Sequence, residues 1–145
     1  MLIIFIVMLF DEAILSMTIV ASLGASTFIA ITMPHTNSAR PRYLVGGYVI
    51  GASCGALMHY VYQYLVSANI QVMGHSPHIL SCAVAVGLAM FFMVITNSEH
   101  PPAAALSMGL VMQSNVIVTA LIAVASIIIV CAIQTMMKKW LKNLL

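Results

Sequence analysis

Glu99-His100-Pro101-Pro102-Ala103-Ala104 is the stretch that decides how this sequence folds. It places a carboxylate, an imidazole and two prolines inside a chain that is otherwise strongly apolar. In water these residues would form an ordinary helix start, because proline is favoured in the first turn of a helix. Within a membrane the same polar groups are costly, and they usually bind or conduct something. The stretch therefore predicts both a helix start and a functional site.

The composition predicts a membrane protein. The 145-residue chain is 63% hydrophobic and 6% charged, with a mean hydropathy of +1.11. A soluble domain of this size could not bury so much apolar surface. We therefore expect an all-helical integral membrane protein that forms a single domain over residues 1–145, with membrane lipid around it. Four apolar stretches have about the length of a spanning helix, namely residues 13–33, 43–66, 79–96 and 116–137.

The lysines and arginines predict an orientation. Arg40 and Arg42 follow the first span, whereas Lys138 and two further lysines follow the last. With four spans these two groups fall on opposite sides, so the positive-inside rule can hold for only one of them. We favour the lysines, which predicts an inner or plasma membrane with the C-terminus in the cytoplasm. An additional span within residues 1–10 would change this parity.

Part of the decisive stretch is repeated. Residues 36–41 and 96–101 share the pattern Thr-Asn-Ser-x-x-Pro at an offset of sixty residues. Both copies follow an apolar span and precede another apolar run, as in an internally duplicated transporter-like fold. Because two spans separate the copies, we expect both loops on the same side of the membrane.

A half-helix is expected after the second copy. Residues 102–112 are apolar but about half as long as a membrane crossing requires. The polar residues Gln113-Ser114-Asn115 follow them. We therefore expect a half-helix that starts at Pro102 and ends inside the membrane. One long, tilted or kinked helix from Pro102 onward is an equal alternative.

Small residues recur along the second span. Gly47, Gly51 and Gly55 form a stripe, which predicts close helix packing rather than a glycine-lined conduit. Because so small a protein has too few helices to enclose a wide path alone, we expect a homo-oligomer formed through such packing. Shorter stripes occur at Ser22 and Ser26, at Ala83 and Gly87, and at Ala105 and Gly109.

The two proline-initiated helix starts predict a binding site for a small inorganic anion. A helix N-terminus exposes amide groups and carries a partial positive charge. In the first copy two guanidinium groups, which match oxyanions, flank the helix start. The predicted substrate-binding set is Asn37, Ser38, Arg40, Arg42, Asn97, Ser98, Glu99, His100, Pro101, Pro102, Ala103, Ala104 and Ala105.

These residues also have simpler interpretations. The arginines can bind lipid headgroups at the interface, while the serines and asparagines of the loops only cap helices. Glu99 can pair with Arg40 or Arg42 across the two loops, or share a proton with His100, since imidazole titrates near neutral pH. We favour the ion pair, with which proton sharing is compatible.

Other functional classes receive no support from the sequence. The histidines provide neither a metalloprotease helix pair nor two axial haem positions, and the three cysteines have no metal-type spacing, so no cofactor or metal is expected. No Gly-x-Ser-x-Gly elbow is present, and we expect no enzyme. A formal charge of +2 without a basic stripe excludes nucleic acid as a main partner.

Five short motifs of the sequence belong together. They are Gly24-Ala25-Ser26, Pro34-His35, Ala39-Arg40-Pro41-Arg42, Gly46-Gly47 and His100-Pro101-Pro102-Ala103 with Ala105. As a set they resemble the motifs of the HPP family of small integral membrane proteins, named for a His-Pro-Pro motif. The resemblance implies four membrane segments and transport of nitrite or a related small anion, with which plastid and cyanobacterial members are associated. Arg40, Tyr48 and Ala104 depart from the family, which often has glutamine, histidine and glycine there.

We therefore expect a transporter or channel for a small inorganic anion, with nitrite as the leading candidate. The alternative is a non-transporting membrane scaffold or assembly protein. A membrane enzyme acting through His100 and Glu99 is a third, less favoured interpretation.

Overall fold

The computed structural model describes residues 17–71 and 77–137. These residues form five α-helices, one short 3₁₀ turn and no strand, which confirms the all-helical prediction. Predictions that concern residues 1–16, 72–76 or 138–145 lie outside the described residues. The helices are α1 (Met17–Thr32), α2 (Pro41–Ser67), α3 (His78–Ile95), α4 (Pro101–Val111) and α5 (Val116–Met137), and the turn is Asn37–Ala39.

Helices α2, α3 and α5 are long and apolar enough to cross a membrane, whereas α1 has 16 described residues and α4 has 11. Helix α4 is the predicted half-helix. It begins at Pro101 rather than Pro102, because both prolines fit a first turn whose amides would have no partner within the helix. A break at residues 112–115 separates α4 from α5, so the alternative of one long helix is wrong.

Helix α4 runs parallel to α2 and lies directly against it. The glycine stripe makes this possible, since a Cβ atom added to Gly47 would lie 2.6 Å from the Cβ atom of His100. The predicted close packing is therefore confirmed. The stripe is buried within the chain, so it is not exposed to form the interface between copies that the sequence analysis expected there. The facing pairs are Gly47 with His100, Gly51 with Ala103, and Gly55 with Ser107.

Helices α1, α3 and α5 run antiparallel to α2, and all three end near the start of α2. This places both loops of the repeat at one end of the bundle, as predicted. Three contacts establish the directions: the Ser26 hydroxyl with that of Tyr48, the Thr96 carbonyl oxygen with the Arg42 guanidinium, and a groove shared by Met136 and Pro41.

The helix directions determine at which end of the bundle α5 finishes. Because α4 runs with α2 and α5 runs against it, the chain leaves α5 at the end of the bundle where α2 begins. This end point arises because α4 is a pass of its own. The lysines lie outside the described residues, so their predicted placement on the opposite side from the arginines stays a prediction.

The connection from α3 to α4 is fixed by a residue in the left-handed conformation. Asn97 has a φ angle of 50°. The amides of Asn97 and Ser98 donate to the carbonyl oxygens of Val94 and Met93 at 3.1 and 3.0 Å, which are the two bonds of a Schellman motif. The first copy of the repeat forms the 3₁₀ turn instead. The two copies therefore match in their proline helix starts rather than in their loops.

The contact between α2 and α4 can be tested with one added methyl group. Gly51→Ala is expected to destabilise the protein by about 1–3 kcal/mol, because the new methyl collides with the Ala103 carbonyl group. Gly87→Ala is the control, since nothing lies within 4 Å of a Cβ atom added there. Thermal unfolding in detergent, followed by circular dichroism, measures both variants. Equal unfolding midpoints would contradict the close approach.

Cysteine labelling tests the helix directions. In a background without the native cysteines, Ser38→Cys, Glu99→Cys and Met137→Cys are expected to react with a membrane-impermeant maleimide from one side of sealed vesicles. Asn69→Cys, in the connection that follows α2, should react from the other side. Labelling of position 137 together with position 69 would show that α5 ends at the opposite face.

Candidate functional site

Four polar side chains meet where α1, α2 and α4 pack together. Ser22, Ser26, Tyr48 and His100, which we term the polar cluster, are each at most 2% exposed. The two serines lie one turn apart on α1, the tyrosine follows the paired glycines of α2, and the imidazole belongs to the N-cap of α4. The chain thus buries three hydroxyl groups and an imidazole within an apolar bundle.

Hydrogen bonds connect the whole cluster. The Ser26 Oγ atom lies 2.7 Å from Nε2 of His100, 2.9 Å from the Tyr48 hydroxyl and 2.9 Å from the Ser22 carbonyl oxygen. The Ser22 Oγ atom lies 3.0 Å from the Tyr48 hydroxyl and donates to the Pro102 carbonyl oxygen at 2.5 Å. Three hydroxyl protons and at most one Nε2 proton serve these five contacts. The cluster therefore has several alternative proton arrangements.

His100 is neutral in this environment. Burial lowers its pKa to about 4, and the opposing effect of the Ser38 backbone is smaller. Within the described part of the chain, its buried Nδ1 atom has no hydrogen bond of normal geometry. The ring bonds to Ser26 through Nε2, while the neighbouring Glu99 side chain is exposed. This arrangement gives no support to the predicted sharing of a proton between Glu99 and His100.

The two repeat loops contact each other near the cluster. Arg42 donates from Nη2 to the Thr96 carbonyl oxygen at 3.0 Å, and the Tyr43 hydroxyl donates to Oδ1 of Asn97 at 3.1 Å. Among the described residues, the Glu99 side chain is exposed and forms no ion pair with Arg40 or Arg42. The predicted pairing of Glu99 with an arginine is therefore wrong, because a backbone carbonyl takes the guanidinium instead.

The predicted caps are also wrong. Neither α2 nor α4 has a side-chain cap, because Arg40 and His100 occupy the N-cap positions. The Ser98 hydroxyl instead lies 2.6 Å from that of Thr96. Of the loop residues, Arg40, Asn37, Asn97 and Glu99 are exposed, Ser38 is half-buried and Ser98 is buried.

The sequence analysis expected exposed amide groups at the start of α4, and the structure differs from this expectation. The two prolines carry no amide hydrogen, and the Ala103 amide donates to the His100 carbonyl oxygen at 2.9 Å. Ala103 and Ala104 are buried and Ala105 is half-buried. The packing of α4 on α2 thus closes the space in which these amides would meet an anion. Anion binding by the predicted set stays a prediction.

The sequence analysis missed three members of the polar cluster. It interpreted Ser22 and Ser26 as a packing stripe and Tyr48 as a departure from a family pattern. Two serines one turn apart in an apolar helix are a usable signal, since their hydroxyl groups need partners at that depth. The partner residues could not be identified because they lie on two other helices.

Comparison with known proteins identifies the family. The HPP transmembrane region family matches residues 1–144. The chain belongs to this family. Its His-Pro-Pro motif supplies the imidazole of the polar cluster and both prolines of the α4 start.

Two transmembrane proteins of Dictyostelium discoideum are similar to this HPP protein. One is 33% identical over 94 residues, or 65% of the chain, and the other is 32% identical over 97 residues, or 67% of the chain. The chain spans only 30% and 28% of the lengths of these relatives. No solved structure matches the chain.

Removing one hydroxyl tests the cluster. Tyr48→Phe is expected to destabilise the protein by about 1–3 kcal/mol, because Ser22 and Ser26 each lose one of their buried hydrogen-bond partners. Tyr64→Phe is a matched control on the same helix, since Tyr64 is 68% exposed. Thermal unfolding in detergent compares the two variants. A Tyr48→Phe protein as stable as the control would show that the hydroxyl group contributes nothing to the packing of the three helices.

Proposed function

We propose that this HPP protein is a membrane transporter or channel for a small inorganic anion, with nitrite as the leading candidate. The choice of nitrite rests on the family resemblance. Anion transport is supported by one observation, an uncharged polar cluster buried at a helix N-terminus inside an apolar bundle. Polar groups at such a depth are expensive, and they typically mark the path of a substrate.

The chemistry of the polar cluster suits a small monovalent anion. The N-terminus of α4 carries a partial positive charge beside the cluster. The hydroxyl groups of Ser26 and Tyr48 can turn their protons toward an acceptor, because the cluster has alternative proton arrangements. None of the cluster residues carries a full charge that would trap the anion. Such a site attracts an anion and also releases it.

The basic end of the bundle would supply electrostatic attraction. Arg40 and Arg42 are exposed there, and a positive surface raises the local concentration of anions. We propose that this end faces the cytoplasm, because Arg40 and Arg42 lie there and α5, which the three lysines follow in the sequence, also ends there. The C-terminus would then be cytoplasmic, in an inner or plasma membrane.

Passage through the cluster needs a conformational change. Each cluster side chain is at most 2% exposed, so we propose that the structure corresponds to a closed state. A shift of α1 away from α2 and α4 would separate the two serines from Tyr48 and His100. We propose no catalytic step and no cofactor for this transport.

The alternative function is that of a non-transporting scaffold or assembly protein. It is supported by the fact that all three hydroxyl groups of the cluster have partners. Holding the three helices together would therefore be a sufficient role for the cluster. Self-association is a separate proposal. The exposed Ala83 and Gly87 on α3 provide a small-residue face for it, which the buried stripe of α2 does not.

Nitrite uptake into proteoliposomes, measured above that of protein-free vesicles, tests the proposed function. Uptake is expected to fall severalfold in the double variant Arg40→Ala and Arg42→Ala, and this effect should shrink as salt screens the arginines. Tyr48→Phe should lower uptake about tenfold, while Tyr64→Phe should not change it.

Two outcomes would decide against parts of this proposal. Unchanged uptake in the double arginine variant would remove the role of the arginines. If nitrite, nitrate and chloride all fail to move and a stable partner co-purifies, the scaffold function is favoured instead.

A further inference from the structure

A second polar region, which forms a recess, lies at the end of the bundle opposite the polar cluster. It has a volume of about 240 Å³ and is lined by His59 and Tyr60 of α2 and by residues 114–118, where the chain enters α5. His59 comes eighteen residues after Pro41, or about 27 Å further along α2. The recess is therefore remote from the two arginines, and none of the described residues that line it carries a charged side chain.

His59 presents one basic nitrogen to this recess. The side chain is 5% exposed, and its Nδ1 atom lies 3.0 Å from the Val111 carbonyl oxygen at the end of α4. Because a carbonyl only accepts hydrogen bonds, Nδ1 carries a hydrogen, so Nε2 is an acceptor whenever the ring holds a single proton. No described group forms a hydrogen bond with Nε2. Tyr60 packs edge-on against the ring, with centroids 5.5 Å apart.

The start of α5 supplies hydrogen-bond donors to the same recess. Val116, Ile117 and Val118 form the first turn of the helix, where amides have no acceptor within the helix and the dipole is positive. Ser114 and Asn115 are exposed beside this turn and add a hydroxyl and a carboxamide group. The recess therefore combines one proton acceptor with several donors to an anion.

We propose that the recess binds the anion of a small weak oxyacid together with one proton. The proton is held on Nε2 of His59, and the oxygens of the anion accept hydrogen bonds from the imidazolium and from the first turn of α5. If the acid enters in its neutral form, its O–H bond breaks, the proton forms the N–H bond at Nε2, and the anion keeps the electron pair. This proposal rests on the proposed function, to which it adds an exit site and the proton as coupling ion.

In the part of the chain that the structure describes, few other titratable groups lie near His59. Tyr60 is the other titratable side chain that lines the recess. Helices α1 and α4 carry no titratable side chain. On α3, His78 and Cys82 contact each other at 3.8 Å, and Cys131 of α5 lies in the groove beside Pro41. His59 is therefore the group that takes up the proton.

Nitrogen NMR of the full-length protein tests the site directly. In detergent at pH 7.5, with ¹⁵N-labelled histidine, the Nε2 signal of His59 is assigned by its loss in His59→Gln. Sodium nitrite is expected to move this signal from the range of unprotonated to that of protonated nitrogen. Sodium chloride at equal ionic strength should not, because chloride is the anion of a strong acid. His78→Gln is the matched control and should keep the nitrite response.

Binding and flux measurements extend the test. His59→Gln is expected to bind nitrite about tenfold more weakly, since it loses a charge-assisted hydrogen bond. In proteoliposomes that contain a pH-sensitive dye, the wild type should take up about one proton per nitrite above protein-free vesicles, and His59→Gln should lose this coupling.

The outcomes separate this proposal from the proposed function. If nitrite is transported but Nε2 stays unprotonated, or His59→Gln keeps the wild-type proton ratio, the recess is not the site and the transport function stands. If no anion is transported, the transport function fails. The response of Nε2 to nitrite then still decides whether the recess binds an anion with its proton.

Discussion

The packing of α4 against α2 through three glycines is the contact on which the rest of the structure depends. Without side chains on this face of α2, the backbone of α4 approaches so closely that His100 lies against Gly47 and Ala103 against Gly51. The approach brings His100 and the Pro102 carbonyl oxygen to the two serines of α1. It also removes the space that the amides at the start of α4 would otherwise offer to a ligand. The contact between α2 and α4 therefore both forms the polar cluster and closes it to a ligand.

The short helix α4 has a histidine at each end. Its N-terminus, where the helix dipole is positive, carries the neutral His100 of the polar cluster, and its last carbonyl group accepts a hydrogen bond from His59. The eleven residues of the helix connect these two places, and both His100 before its first residue and Val111 at its last are buried. The shortness of α4 is thus what places polar groups at two depths of an apolar bundle.

The helices could be predicted from the sequence, whereas the site depended on contacts between helices. Apolar length located α2, α3 and α5, and the double proline located the start of α4 to within one residue. Charge was less informative, because the direction of each helix depends on whether an eleven-residue segment counts as a pass. The pairing of Glu99 with an arginine failed for a related reason, since the sequence does not show that the Thr96 carbonyl oxygen is closer to the guanidinium. For the same reason Ser22 and Ser26 looked like packing residues, and Tyr48 only like a departure from a family pattern.

The difference between the two polar regions bears on how an anion could move through such a small bundle. The polar cluster offers donors around a neutral imidazole and lies near the basic end, so it favours an anion without a proton. The recess at His59 offers a ring nitrogen to which no described group donates a hydrogen bond, beside a positive helix end and far from any arginine. There an anion is stabilised only when a proton accompanies it, because no described side chain that lines the recess carries a permanent positive charge. A weak acid can therefore bind at both regions, as the anion alone at the polar cluster and as the anion with its proton at the recess. The anion of a strong acid can bind only at the polar cluster.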